Sequence, residues 1–146
     1  MPILVSTHPR TRKRLDENQS IKKNNLIIFA KPLGFFDYMK LQLNAKCILS
    51  DSGTITEEAS LLNLPAVTIR NTHERPEGMD EGTLVMSGLS KTDILKSVSL
   101  TINHFKTDYR PEVVKDYKNR NVSKKIVKIV MSYTNYINRT VWNKGI

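Results

Sequence analysis

Five short apolar runs recur along the chain, separated by polar or helix-patterned sequence. They are Ile3-Leu4-Val5, Leu26-Ile27-Ile28-Phe29, Cys47-Ile48-Leu49, Ala66-Val67-Thr68-Ile69 and Leu84-Val85-Met86. The runs are continuous rather than alternating, which suits strands covered on both faces. Helical patterns fill three of the intervals or follow the last run: Phe36 to Asn44, Thr54 to Leu62, and a segment capped by Ser90 that continues to about Phe105. Arg10 to Lys23 reads as polar, basic sequence, and Asn71 to Gly82 as a loop. Strands alternating with helices need crossover connections and so imply a parallel sheet. The expectation is an α/β chain with a Rossmann-like three-layer domain. The last third differs: apolar residues fall at 122, 126, 129, 130, 133, 137 and 141, with Lys124, Lys125 and Lys128 on other faces of a helix. The simplest reading is a C-terminal helix, near 120–142, packed on the domain. A membrane-surface helix or a helix crossing to another domain are the alternatives.

Composition narrows the class. The 146 residues suit one domain, spanning 1–146, and 39% hydrophobic content is enough for a core. Disordered, collagen-like and disulfide-framed classes are excluded. Cys47 is the single cysteine, so no internal disulfide forms, which fits a reducing compartment. No run approaches the roughly 20 apolar residues of a membrane-spanning helix, and Met1 to Arg10 lacks signal-peptide order. The expected location is the cytoplasm. Lys plus Arg is 23 against 14 acids, a net charge of +9. Such a balance suits a nucleic acid, an anionic membrane surface or a phosphorylated ligand, or simply a solvated basic surface.

The segment Leu49-Ser50-Asp51-Ser52-Gly53-Thr54-Ile55-Thr56-Glu57-Glu58-Ala59 follows one strand and opens a helix. In a parallel sheet that junction is the carboxyl edge, where ligands bind. Small residues there admit an anion to free N–H groups and to the positive end of the helix dipole. Thr54-x-x-Glu57 also fits a plain capping box. Arg70-Asn71-Thr72-His73-Glu74-Arg75-Pro76-Glu77-Gly78 follows the next strand, on the same edge. Arg75 is suited to a diphosphate or to Glu58, although most charged loops are only solvated surface. Gly34-Phe35-Phe36-Asp37-Tyr38 follows an earlier strand. Its aromatics can stack on a flat base, while core packing is the ordinary role of any one of them. His8 either serves a site or caps a turn, His104 reads as structural, and Cys47 as a small buried hydrophobe. No Cys/His spacing indicates zinc, and no Walker A or GxGxxG motif occurs.

The run Ser50 to Ala59, then Leu64-Pro65-Ala66, Arg70 to Gly78 and Glu81-Gly82-Thr83, resembles the non-hydrolysing UDP-N-acetylglucosamine 2-epimerase family in order and spacing. Weaker similarity runs from Thr7-His8-Pro9 to the helix ending near Phe105. Thr54 after Ser52-Gly53, with His73 and Gly78 around Glu74-Arg75-Pro76, looks most like the capsule and O-antigen branch that forms UDP-N-acetyl-L-fucosamine. The resemblance implies one half of a GT-B fold, in which a nucleotide sugar sits between two Rossmann-like domains. It implies an isomerase that eliminates UDP and re-adds it with C2 inverted. Carried over by motif, Ser52, Gly53 and Thr54 meet the diphosphate, with Thr54 narrowing a turn where a second glycine is usual. Glu58 meets the ribose hydroxyls, Arg75 the phosphates or the glycal, and Tyr38 the uracil, with His73 supporting. No metal and no cofactor is implied.

The resemblance covers the C-terminal half only, and the family's main acid and base carboxylates lie in the N-terminal domain. The chain alone is therefore expected to be inactive or weakly active. It reads as an excised domain, a split-gene product or a UDP-binding remnant. Its expected partners are UDP or a UDP-N-acetyl-sugar, an N-terminal epimerase domain in cis or in trans, and a second copy as homodimer; nucleic acid and a membrane span are not expected. Two other classes compete. A basic nucleic-acid module rests on the +9 charge, against four glutamates, Glu57, Glu58, Glu74 and Glu77, crowding the site. An interaction protein would dock a partner through the C-terminal helix.

Overall fold

A computed structural model describes residues 1–17 and 24–144. The end of the basic stretch, residues 18–23, lies outside the described residues. The chain divides into two compact units, Met1–Lys46 and Cys47–Ile146.

In the first unit, β1 (Ile3–Ser6) pairs in parallel with β2 (Ile27–Ala30), Ile3 opposite Ile27 and Ser6 opposite Ala30. Thr7 extends the ladder, its N–H donating to Ala30 O at 3.0 Å. Between the strands, α1 (Pro9–Glu17) occupies sequence that reads only as polar and basic, with no helix assigned to it. It buries no residue, so it carries no apolar stripe from which a helix could be read. Its determinants are local. Pro9 sits at the first helical position, where no N–H is needed. His8 caps the turn, its Nδ1 accepting from the Arg10 N–H at 3.2 Å, and Lys13 faces Glu17 one turn on. After β2, α2 (Phe35–Leu43) follows Gly34. Phe35 and Phe36 stack edge to face and are strongly exposed, so core packing does not hold for them. The expectation of strands covered on both faces also fails for β1 and β2, where Ile3, Leu4 and Ile28 are exposed.

The second unit holds β3 (Ile48–Ser50), α3 (Ile55–Leu62), β4 (Ala66–Thr68), α4 (Glu77–Asp80), β5 (Val85–Met86) and α5 (Lys91–His104), then a 3-10 turn at Lys115–Lys118 and α6 (Val122–Thr140). The sheet order is β3-β4-β5, all parallel, with Ile48 opposite Ala66 and Val67 opposite Val85. β4 is central and wholly buried. The core packs Ile55 and Ala59 of α3 with Leu64, Ala66 and Leu84, flanked by Ile48 and Met79. Asn63 closes α3 in the left-handed region, which Asn tolerates, and Leu64 N–H returns to Ala59 O. Ser90 caps α5 as expected, accepting from the Asp93 N–H. Burial pushes the Cys47 thiol up to about 11, in keeping with an unreactive small hydrophobe.

Two expectations change here. The loop from Asn71 to Gly82 contains α4, a single turn opened by Pro76, whose carbonyl accepts from Met79 and Asp80. The helix α6 forms where the period placed it, but it buries no residue: Ile126, Ile129, Val130 and Tyr133 are all exposed, so the packed reading is corrected. The expected class stands: α/β, with parallel strands, intervening helices and a terminal helix.

Candidate functional site

Two loops leave the carboxyl ends of neighbouring parallel strands. After β3, Ser50 Oγ accepts from the Ser52 N–H at 3.1 Å and shapes the turn into α3. In the first turn of α3 the Thr56 N–H donates to Gly53 O at 3.3 Å and the Glu58 N–H to Thr54 O at 3.0 Å, and this end of the helix carries the positive end of its dipole. The Ser52 and Thr54 hydroxyls lie 3.0 Å apart on this turn. The capping-box reading is corrected. Thr54 is helical in backbone and makes no side-chain cap, and Glu57 turns instead to Arg75.

After β4, the second loop swings its guanidiniums over Gly53. A Cβ at Gly53 would collide with Arg75 Nη1, and would lie 3.6 Å from Arg75 Cζ and 3.9 Å from Arg70 Nη1. A side chain here would displace the Arg75 guanidinium, whereas Arg70 would remain at ordinary contact distance. Arg75 Nε meets Glu57 Oε1 at 3.1 Å, the carboxylate one residue before Glu58. Both side chains are more than a third exposed or close to it, so the pair contributes about 0–1 kcal/mol and leaves Arg75 available. Ser52, Gly53, Arg70, His73 and Arg75 line a pocket floored by Thr68 and Leu84. Its enclosed space is about 10 Å³, of the order of one water molecule. This wall can grip the edge of an anion; it does not surround a larger ligand.

Behind the loop, α4 is clamped. The Gly78 position is buried, and a Cβ there would collide with the Thr56 methyl and come 3.0 Å from Leu84 Cδ2. The Thr83 N–H and hydroxyl both donate to Gly78 O at 2.8 Å. Tyr117 Oη donates to Glu77 Oε1 at 2.5 Å. That hydrogen bond is the main reason the Glu77 carboxyl is held below its ordinary range. Tyr117 is pushed up, first by burial and then by the same contact.

Of the residues expected at a site, Ser52, Gly53, His73 and Arg75 come together in one pocket, with Thr54 beside Ser52. Glu58 is half-buried in the first turn of α3. Tyr38 lies half-buried on α2, in the first unit. Sequence reading named Arg70 only within the charged loop and Glu57 only as a capping residue and one of the glutamates crowding the site, and it did not single out Tyr117. Arg70 is at least flagged by its place at the end of an apolar run. Tyr117 carries no local signal, because its contact to Glu77 closes over forty residues. Among the described residues no cluster of His, Cys, Asp and Glu could hold a metal, and no helix is long and apolar enough to cross a membrane.

Comparison with known proteins follows the same residues. The family model described as UDP-N-acetylglucosamine 2-epimerase matches residues 1–131. The solved structure of UDP-N-acetylglucosamine 2-epimerase from Rickettsia bellii is 53% identical, with a TM-score of 0.85 over 98% of this chain and 39% of its own. The Methanocaldococcus jannaschii UDP-GlcNAc 2-epimerase, solved in complex with UDP-GlcNAc and UDP, is 34% identical with a TM-score of 0.75, over 90% of this chain and 36% of its own. A curated UDP-N-acetylglucosamine 2-epimerase from M. jannaschii is 38% identical over 104 residues, covering 69% of this chain and 28% of that relative. The chain thus spans well under half the length of the relatives it matches. The family match takes in both strand-end loops and all the elements up to the middle of α6, and by it the chain belongs to the UDP-N-acetylglucosamine 2-epimerase family.

Proposed function

We propose that this chain is the UDP-holding, C-terminal half of a UDP-N-acetyl-sugar 2-epimerase. The observation that carries the reading is the approach of Arg70 and Arg75 to Gly53 at the start of α3. Two guanidiniums, a helix N-terminus and a pair of hydroxyls converge where a diphosphate could bind. Ser52, Gly53 and Thr54 take the diphosphate and Glu58 the ribose hydroxyls, with Arg75 and His73 on the phosphate side. In the reaction a base removes the proton at C2 while the C1–O bond breaks, and UDP leaves with the bonding electrons. UDP then adds back at C1 as a proton returns to the opposite face of C2. Holding UDP between the two half-reactions makes the return step effectively unimolecular. The proton transfers belong to carboxylates of an N-terminal domain, supplied in cis or in trans, so the chain alone has little or no activity. His73 and Gly78 around the Glu74-Arg75-Pro76 core, with Thr54 in the turn, favour the branch that forms UDP-N-acetyl-L-fucosamine for capsule or O-antigen. The setting is the cytoplasm.

Calorimetric titration of UDP into the chain, repeated with Arg75→Ala and Glu58→Ala, tests the reading. Saturable binding weakened by both changes is expected. A flat titration of the folded protein, or binding indifferent to both changes, overturns it.

A further inference from the structure

Arg75 acts on two carboxylates. It pairs with Glu57 through Nε, and its charge also reaches Glu77, two residues on. Glu77 is occupied elsewhere, because Tyr117 Oη donates to its Oε1 at 2.5 Å. Tyr117 is itself anchored. Its 3-10 turn starts from Val114, which is buried and whose N–H donates to Ser60 Oγ of α3 at 2.9 Å, and the Tyr117 N–H returns to Val114 O. The turn is thus fixed to the helix whose first residues form the pocket. Two contacts, Arg75 to Glu57 and Tyr117 to Glu77, lie on the pocket side and outside it respectively, and they are coupled through the charge of Arg75 acting on Glu77.

We propose that Tyr117 is a positioning residue for Arg75: by holding the Glu77 carboxylate it removes a competitor for the guanidinium and leaves Arg75 paired with Glu57 over the Gly53 turn. The inference deepens the reading of this pocket as a diphosphate site and rests on it for its functional effect. The physical reason is the scarcity of donors. A carboxylate that loses a hydroxyl donor seeks another, and Arg75, two residues away on the same loop, is a cation whose charge already acts on Glu77. A guanidinium drawn to Glu77 would leave the turn where the anion binds.

The test uses the full chain and two readouts. The first is the Arg75 Nε–H signal in nitrogen-15 spectra, and its exchange with solvent. The second is UDP affinity by calorimetry. Tyr117→Phe is expected to move the Arg75 signal, speed its exchange and weaken UDP binding about fivefold. Adding Glu77→Gln to Tyr117→Phe removes the competing charge and is expected to restore both. A merely structural role would not be rescued by a second change in the same contact. Glu77→Gln alone, which keeps an acceptor for Tyr117, is expected to leave both readouts within about twofold of the wild type. If Tyr117→Phe does not fold, this single variant decides: a loss like that of Arg75→Ala overturns the inference. An Arg75 signal unmoved by Tyr117→Phe, or a loss that Glu77→Gln fails to rescue, also overturns it. A flat wild-type UDP titration alongside the expected Arg75 behaviour would count against the proposed function and leave the positioning role standing.

Discussion

Gly53 and Gly78 lack a Cβ for opposite reasons, and their alanine variants should separate binding from stability. At Gly53 the added methyl meets the flexible end of Arg75. Gly53→Ala should displace the guanidinium, lower UDP affinity about tenfold and change stability by less than about 0.5 kcal/mol. Calorimetry and thermal melting read the two effects. At Gly78 the methyl meets the Thr56 side chain and Leu84 inside the core. Gly78→Ala should destabilise by about 1–3 kcal/mol, visible as a lower denaturant midpoint. Glu77 supplies a pH dependence. Its carboxyl is held below the ordinary range chiefly by the Tyr117 hydroxyl, whereas the unfolded chain protonates it at the ordinary value. The contact therefore contributes fully above that ordinary value, and its contribution is lost as the pH falls through the lowered one. In Tyr117→Phe the Glu77 titration followed by NMR should move back up; an unchanged titration would remove Tyr117 as the cause. These residue-scale features were only partly legible. Small residues at a strand end can be read as a turn, but the arginine that needs Gly53 bare, Arg75, is identified only by its position in space.

Elements show the same division between local and distant causes. The central strand β4 and the terminal helix α6 are both apolar by pattern, yet Val67 is 0% exposed while Ile126 and Val130 are 54% and 55% exposed. Val67→Ala should cost about 1.5–3 kcal/mol. Ile126→Asp with Val130→Asp should change stability by about 0.5 kcal/mol or less and lessen self-association in sedimentation. A large loss of stability from the pair would mean that the α6 face is packed. The apolar runs placed all five strands to within a residue or two, because a strand in a parallel sheet is specified by its own side chains. The helices α1 and α4 escaped notice for the complementary reason. Neither shows an apolar period: one is set by Pro9 and the His8 cap, the other by Pro76 and the glycine packed beneath it.

At the scale of the whole chain, a ligand that binds the folded state raises its melting temperature, by about 2.7 kcal/mol in stability at a hundred times the dissociation constant. If the diphosphate is the main grip, UDP should raise the melting temperature of the chain and uridine at the same concentration should not. An equal effect of both would move the grip from Ser52, Gly53 and Arg75 to the base. What the sequence determined by itself was the alternation of strands and helices, the parallel sheet that alternation requires, the turn Ser52-Gly53-Thr54 and the family to which its motifs belong. All of these are properties of neighbours along the chain. Tertiary structure alone decided that Arg70 and Arg75 meet at Gly53, that Glu57 is the carboxylate facing Arg75 Nε, that Tyr117 holds Glu77, and that α6 leaves its apolar face uncovered. Each of these depends on which distant segments the folded core brings within a few ångströms, and that is fixed by packing rather than by local propensity or period.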